Sequence, residues 1–413
     1  MKKLCALGIL LILFSFACVP CFAAGHGFVS LKGAEIAAPG GSPLLLKGIS
    51  LGNWLLPEGY MLKFEEISSP RLLNDLLCEL VGPGEARRFW KDYRAAYISK
   101  KDIMLIRKLG FNMIRVPFNY RLFTPEDHPG IWLDEGFTLL DQVVSWAQEA
   151  GLMVILDMHG APGGQTGENI DDGWGTPWLF ESPECQERTI ALWKKLAERY
   201  KASRTVIGYE LLNEPVPDFE GYGRYEASLE PLYRRITEAI RTVDRDHLII
   251  LGGSRWCTNF ECFGKPFDSK LVYTFHHYWA DPSEKSLQKA LAFREKYGVP
   301  LWMGESGENT DQWIEAYRKS LEKHRIGWSF WPYKKMDSPS CVATFPKPRV
   351  WEELVSYAEK YRGASWKERR LHRPSPQMCR KALDELLEKA KVEHCIINRG
   401  FLKALGLEEP AGQ

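Results

Sequence analysis

Two stretches of this chain end an apolar run on an acid. VIGYELLNEP (206–215) closes with Asn213 and Glu214, and PLWMGESG (300–307) carries Glu305 near its end. A carboxylate at the end of a buried segment costs free energy to desolvate unless it is paired or used. Two carboxylic acids facing each other across a gap of about 5 Å can break a glycosidic bond. One protonates the departing oxygen, and the other captures the positive charge that develops at the anomeric carbon. They can divide these tasks when their surroundings push their pKa values apart.

Acids so far apart in sequence need elements that bring them together. Short apolar or β-branched runs recur at 44–52, 112–118, 153–160, 206–214, 248–253, 271–278, 300–307 and 327–334, which makes eight. Between them lie longer amphipathic stretches, with apolar spacing that predicts helices over 137–149, 185–200, 225–243 and 310–323. Continuous apolar strands alternating with helices predict a parallel sheet covered by helices. Eight such units predict an α/β fold of the closed (β/α)₈, or TIM, barrel type rather than an open sheet. No GxGxxG or GxxxxGK[ST] follows any of the strands, so a phosphate-binding open sheet is disfavoured. Polar residues gather at the C-terminal ends of the runs: Arg115, His159, Asn213 with Glu214, His276 with Tyr278, and Glu305, while Trp331 lies in the last one. In a barrel those ends converge on the face that carries active sites.

Composition narrows the partners. The chain has 413 residues and is 45% hydrophobic, enough for a sizeable core. Lys plus Arg number 54 against 53 Asp plus Glu, a balance that argues against nucleic acid or an anionic membrane as partner. The excess is aromatic, with 15 Trp, 16 Tyr and 20 Phe, whose flat faces suit sugar rings as well as packing. Lys2-Lys3, an apolar run over 4–16 and small residues around Ala23 predict an export signal at 1–23, with a lipid anchor on Cys18 as the alternative. A single catalytic domain over 24–362 and a C-terminal helical extension over 363–413 are expected to follow. The cysteines after the signal are odd in number and show no zinc-site spacing, so scattered buried thiols are expected.

The motifs NEP, RVP after a strand, HHYW, GES and GWSFW, in that order, resemble glycoside hydrolase family 5 over residues 44–361. The resemblance implies a retaining enzyme on a (β/α)₈ barrel, with Glu214 as acid/base and Glu305 as nucleophile. It also implies that Arg115 orients the nucleophile, that Asn213 contacts the sugar 2-hydroxyl, that His159, His276 and Tyr278 line the cleaved subsite, and that Trp331 is its stacking floor. Each role has a chemical basis: an Arg fork lowers a carboxylate's pKa, and an amide can bond a 2-hydroxyl as charge develops. His276 is preferred to His277 because the family pattern is His-x-Tyr; adjacent strand residues point to opposite sides.

HGAPGGQTGENIDDGWG (159–175) and GISLGNWLLPE (48–58) are similar to the exo-β-1,3-glucanase branch and its cellulase-like relatives. In that branch a Glu in the position of Glu58 grips the terminal sugar. Glu168 and Asp281 stand where the branch has a phenylalanine clamp, and Trp174, Trp178 and Trp279 are candidate replacements. The expectation is a secreted or periplasmic monomer that hydrolyses β-glucan or its oligosaccharides without metal or organic cofactor. Endo-β-1,4-glucanase, mannanase, a non-catalytic carbohydrate-binding barrel and a metal-dependent hydrolase are the rivals.

Overall fold

The computed structural model describes residues 27–407, and in it the eight apolar runs pair in parallel and close on themselves as a barrel. The strands are β1 (Lys47–Ser50), β2 (Met113–Asn119), β3 (Met153–Gly160), β4 (Val206–Glu210), β5 (Leu248–Gly252), β6 (Leu271–His277), β7 (Leu301–Ser306) and β8 (Gly327–Phe330). β8 closes the ring by placing Trp328 beside Lys47 of β1. The expected export signal at 1–23, Cys18 included, lies outside the described residues.

Alternation along the strands sorts the interior into layers. Met113, Ile155, Leu248, Ile250, Val272 and Trp302 form an apolar cluster of their own, apart from the core under the helices. A hairpin of Ser30–Lys32 and Glu35–Ala37 adds Val29 and Ile36 to that cluster, an element that the sequence pattern did not announce. Two residues further along the same faces, the character changes: Arg115 follows Met113 and Asp157 follows Ile155, both fully buried. Glu210, at the end of β4, is buried as deeply.

The predicted helices are present as Asp134–Ala150, Pro183–Tyr200, Glu226–Arg241 and Asp311–Lys323. Pro183–Tyr200 shows why such segments fold: the Ser182 side chain accepts from Cys185 N, Pro occupies the first turn, and Leu192, Trp193, Leu196 and Tyr200 form one buried stripe. Three strands are shorter than expected, the first of them β1, which covers only Lys47–Ser50 of the run 44–52. β4 ends at Glu210 rather than 214, and the segment beyond it leaves extended backbone altogether at Glu214, whose φ is a left-handed 44°. β8 ends at Phe330, and Lys334–Met336 joins Ala343–Phe345 and Ile396–Ile397 in a separate sheet.

One βα unit also departs from the pattern. After β5 no long helix forms; a four-residue turn at Ser254–Cys257 carries left-handed φ values of 55°, 59° and 61° at Arg255, Trp256 and Cys257. Phe260 and Phe263 occupy the place of a helix, with ring centroids 4.9 Å from Phe293 and 5.0 Å from Tyr273. Two unanticipated helices, Pro70–Val81 and Pro83–Tyr97, follow β1, and the tail helix Pro376–Lys389 packs on both. The cysteines among the described residues are free thiols. No described helix is long and apolar enough to cross a membrane.

The tail is tied in by one ammonium. Lys334 Nζ, fully buried, donates to Asp102 Oδ1 at 2.6 Å, to Tyr97 O at 2.6 Å and to Ala390 O at 2.8 Å. Removing one member of a buried ion pair leaves an uncompensated charge. Asp102→Asn should therefore lower the unfolding free energy by about 3–5 kcal/mol in urea titrations. A loss under about 1 kcal/mol would contradict this account of the pair.

Candidate active site

At the strand ends a buried charge network carries the acids. Arg115 Nε donates to Glu210 Oε2 at 2.6 Å, its Nη1 to Glu305 Oε2 at 2.6 Å, and its Nη2 to Asn213 Oδ1 at 2.8 Å. The same Nη2 lies 3.0 Å from Asp157 Oδ2. Three carboxylates thus share one guanidinium, whose planar fork suits several acceptors at once. Although burial opposes it, the charges of Arg115 and His276 hold the Glu210 carboxyl down to about 2. Burial pushes Asp157 well above its ordinary value. It also raises Glu305, against the pull of Arg115 and His276.

Strand irregularities aim two of the side chains. Between β6 and β7 the register steps from Phe275 beside Met303 to His276 beside Glu305, leaving Gly304 as an extra residue. A Cβ at Gly304 would lie 2.4 Å from Thr274 Oγ1, so glycine is required where the strand bulges. Between β2 and β3 the register passes from Met158 to Gly160, and His159 is the residue skipped. His159 Nδ1 meets Asp157 Oδ2 at 2.7 Å, and its ring stacks on Trp331 with centroids 5.6 Å apart. Burial lowers its pKa to about 4, so at neutral pH it is an uncharged imidazole. With its proton on Nδ1, its Nε2 can accept from the Asn213 amide at 3.3 Å.

Tyr278 donates to Glu305 Oε1 at 2.8 Å, so both oxygens of that carboxylate are held by donors. Burial and the Glu305 charge raise the Tyr278 pKa and keep its hydroxyl a donor. His276 Nδ1 lies 2.8 Å from Glu214 Oε1, while its Nε2 lies 3.8 Å from Glu210. Burial opposes its charge, yet Glu305, Glu210 and Glu214 together raise its pKa to about 10. His277 turns the other way, onto Trp313 and Tyr317, as the alternation of the strand dictates.

Atoms of Glu214, His276 and Glu305 lie within 4.8 Å of one another. Two carboxylates and an imidazole at that spacing also form a donor set for a cation. A metal would have to displace the proton that His276 holds, because an imidazolium offers no lone pair.

These groups open on a cavity of about 670 Å³, within the range that holds small ligands. Glu58, His159, Glu214, His276, Tyr278, Glu305 and Trp331 line it, so most of the residues singled out from sequence meet there. Arg115 and Asn213 stand behind it and act through Glu305 and His159. Glu58 is 3% exposed, and burial followed by the charges of Glu305 and Glu308 raises its pKa well above normal. Trp331 lies flat on Gly52, where a Cβ would come within 2.4 Å of the ring, and its Nε1 donates to Tyr60 at 2.9 Å.

The glycine-rich loop after β3 lends Asn169 and Ile170 to the cavity. Its Gln165 ties β3 to the segment after β4 by donating to His159 O at 2.7 Å and Asn213 O at 2.9 Å. Of the aromatic candidates only Trp279, 72% exposed, lines the cavity; Trp174, Trp178, Glu168 and Asp281 do not. Sequence reading missed Asp157 and Glu210, although an acid inside an apolar strand is the same signal that marked Glu214. It also missed Trp256, which the left-handed turn after β5 brings to the rim.

The charge on His276 sets a pH dependence. Because its folded pKa is raised, its contribution to stability is complete below the ordinary value of 6.5 and is lost as the pH climbs through about 10. The stability gap between the wild type and His276→Gln, measured in urea, should shrink steadily between those limits. A gap that stays level over that interval would mean a neutral ring.

Comparison with known proteins gives the family. The model of the family Cellulase (glycosyl hydrolase family 5) matches residues 82–337. A β-xylosidase of Phanerodontia chrysosporium is 28% identical over 74% of this chain and 71% of its own length. Endoglucanase C of Acetivibrio thermocellus is 28% identical over 65% of this chain and 92% of its own. A probable glucan 1,3-β-glucosidase A of Aspergillus clavatus is 30% identical over 57% and 55%. Among solved structures, an endogalactoceramidase shares the fold with a TM-score of 0.58 at 19% identity, covering 75% of each chain. A family match over more than half of the chain, on a closed eight-stranded barrel, makes this protein a member of glycosyl hydrolase family 5 and an O-glycosyl hydrolase acting on a carbohydrate.

Proposed function

We propose that the protein is a secreted, retaining β-glycosidase that hydrolyses β-glucan or its oligosaccharides by double displacement. The observation that carries the reading is the spacing of the acids: an oxygen of Glu214 and one of Glu305 lie within 4.8 Å. Retaining enzymes hold their carboxyls about 5–5.5 Å apart, whereas inverting ones leave about 6.5–9.5 Å for a water. In the first step Glu305 attacks the anomeric carbon, the glycosidic bond breaks, and Glu214 gives its proton to the departing oxygen. In the second, Glu214 takes a proton from water, whose oxygen displaces the Glu305 ester and frees the sugar.

The neighbours support this division. Arg115 and Tyr278 hold the two oxygens of Glu305, so attack needs no reorientation. Glu214 is bound through His276 and keeps an exposed edge toward the cavity. Asn213 sits behind the cavity between Arg115 and His159, so its amide orients the His159 ring that lines the subsite rather than touching the sugar. Trp331 offers a flat wall to the sugar, and Glu58 offers a carboxyl to its hydroxyls. Trp279 at the rim provides a face for the departing saccharide.

Hydrolysis of a panel tests this reading: laminarin, barley glucan, carboxymethylcellulose, mannan, aryl β-glucosides and an aryl β-xyloside, with and without chelator. Wild type should release sugar of retained configuration from glucan substrates, equally in chelator. Glu305→Gln should lose at least about 10³-fold in kcat, the usual scale for removing a group that acts in the transition state. Glu214→Gln should lose a comparable factor on substrates with poor leaving groups and less on activated aryl glycosides. Full activity in either variant would remove that residue from the mechanism. Trp279→Ala should raise KM several-fold for oligosaccharides and leave small aryl glucosides nearly unaffected.

A further inference from the structure

A second cavity, of about 590 Å³, lies beside the active one on the same face of the barrel. The two share a wall: Pro57 and Asp172 line the second, while their near neighbours Glu58 and Ile170 line the first. The helices inserted after β1 build its far side, and its electrostatics are lopsided. Arg71, Arg87, Lys91, Arg94 and Arg121 line it, against two carboxylates, Glu135 and Asp172. Those two are engaged, Glu135 with Arg94 at 2.5 Å and Asp172 with Arg121 at 2.9 Å. Arg87 and Lys91, one turn apart on Pro83–Tyr97, pair with no carboxylate among the described residues.

A second observation points the same way. Three residues of its lining, Arg71, Trp90 and Arg94, each carry a buried side-chain N–H, at Nε, Nε1 and Nε respectively, with no protein acceptor. Trp90 is only 8% exposed. Buried donors are almost always satisfied, so three in one place ask for an acceptor from outside the chain. The apolar part of the wall that is open to the cavity comes from Pro70 and Leu122, both half-buried, and offers a surface against which a sugar ring can rest.

We propose that this cleft is a subsite for an acidic sugar, whose carboxylate is held by the Arg and Lys side chains while its ring packs on Pro70 and Leu122. The inference rests on the glycosidase reading of the neighbouring cavity and adds to it a preference for glycans bearing uronic acid units. The shared wall places such a unit within reach of a saccharide bound over Glu58. A guanidinium presents two parallel donors to a carboxylate, and the low-dielectric wall strengthens the pair.

The test is calorimetric titration of the Glu305→Gln protein with glucuronosyl-β-1,4-glucose, with cellobiose and with inorganic sulfate at low salt. Binding is read without turnover, so a failure of the hydrolase reading would show in the substrate panel and not here. The acidic disaccharide should bind at least about tenfold tighter than cellobiose, the scale of one charge-assisted hydrogen bond. That advantage should weaken with added salt, fall to near parity in Arg87→Ala/Lys91→Ala, and shrink in Trp90→Phe, which keeps the ring and removes the donor. Equal affinity for the two disaccharides, or an advantage untouched in the double variant, would overturn the proposal. Sulfate binding as tight as the acidic disaccharide would overturn it too, in favour of a site for small free anions.

Discussion

Everything at the mouth of the barrel depends on one fully buried guanidinium. Arg115 reaches Asp157, Glu210, Glu305 and Asn213, which come from three different strands and the segment after one of them. A lone buried cation or anion would be prohibitive, and each carboxylate here is tolerable because the arginine is present. The dependence runs in both directions, since the arginine can be buried only because acids surround it. The network therefore fixes the strand ends relative to one another more tightly than apolar contacts alone could. That fixation gives Glu305 a defined orientation before any substrate arrives.

The barrel interior shows how a single strand serves both needs. Met113 and Ile155 belong to the apolar layer, and two residues later the same faces present Arg115 and Asp157. Such a change of character over two positions is available because the interior is a stack of layers rather than a uniform core. The lower layers exclude water and support the upper one. The two register slips, at His159 and at Gly304, then turn individual side chains toward the cavity without disturbing the layers beneath.

Much of this was legible in the sequence, for physical reasons that can be named. The eight strands stood out because strands buried on both faces must be continuously apolar. Glu214, Glu305, His159, His276 and Tyr278 stood out because each follows such a run, where polarity has no structural excuse. Asp157 and Glu210 escaped notice because they fall within the runs and read as strand interior, although burial makes them more costly than the acids that were noticed. The left-handed turn after β5 was not legible: Arg255, Trp256 and Cys257 are not residues that favour positive φ, and the turn is held by contacts distant in sequence or outside the strand pattern, the bond from Arg255 N to Val216 O and the packing of Phe260 on Phe275. Nor could any local pattern show that Lys334 and Asp102, 232 positions apart, would meet in the core.

The position of Ala390 has a bearing on how the chain comes to be native. Its carbonyl is the third acceptor of the Lys334 ammonium, and Ile396–Ile397 adds the outer strand beside Ala343–Phe345. A nascent chain that has emerged as far as Phe345 already carries the sequence of all eight staves, yet its Lys334 ammonium is short of one ligand and its Ala343–Phe345 edge is without a neighbour. The end of the helix Pro376–Lys389 is thus a latch whose parts are synthesised last, so the buried ammonium can be fully satisfied only after the tail has left the ribosome.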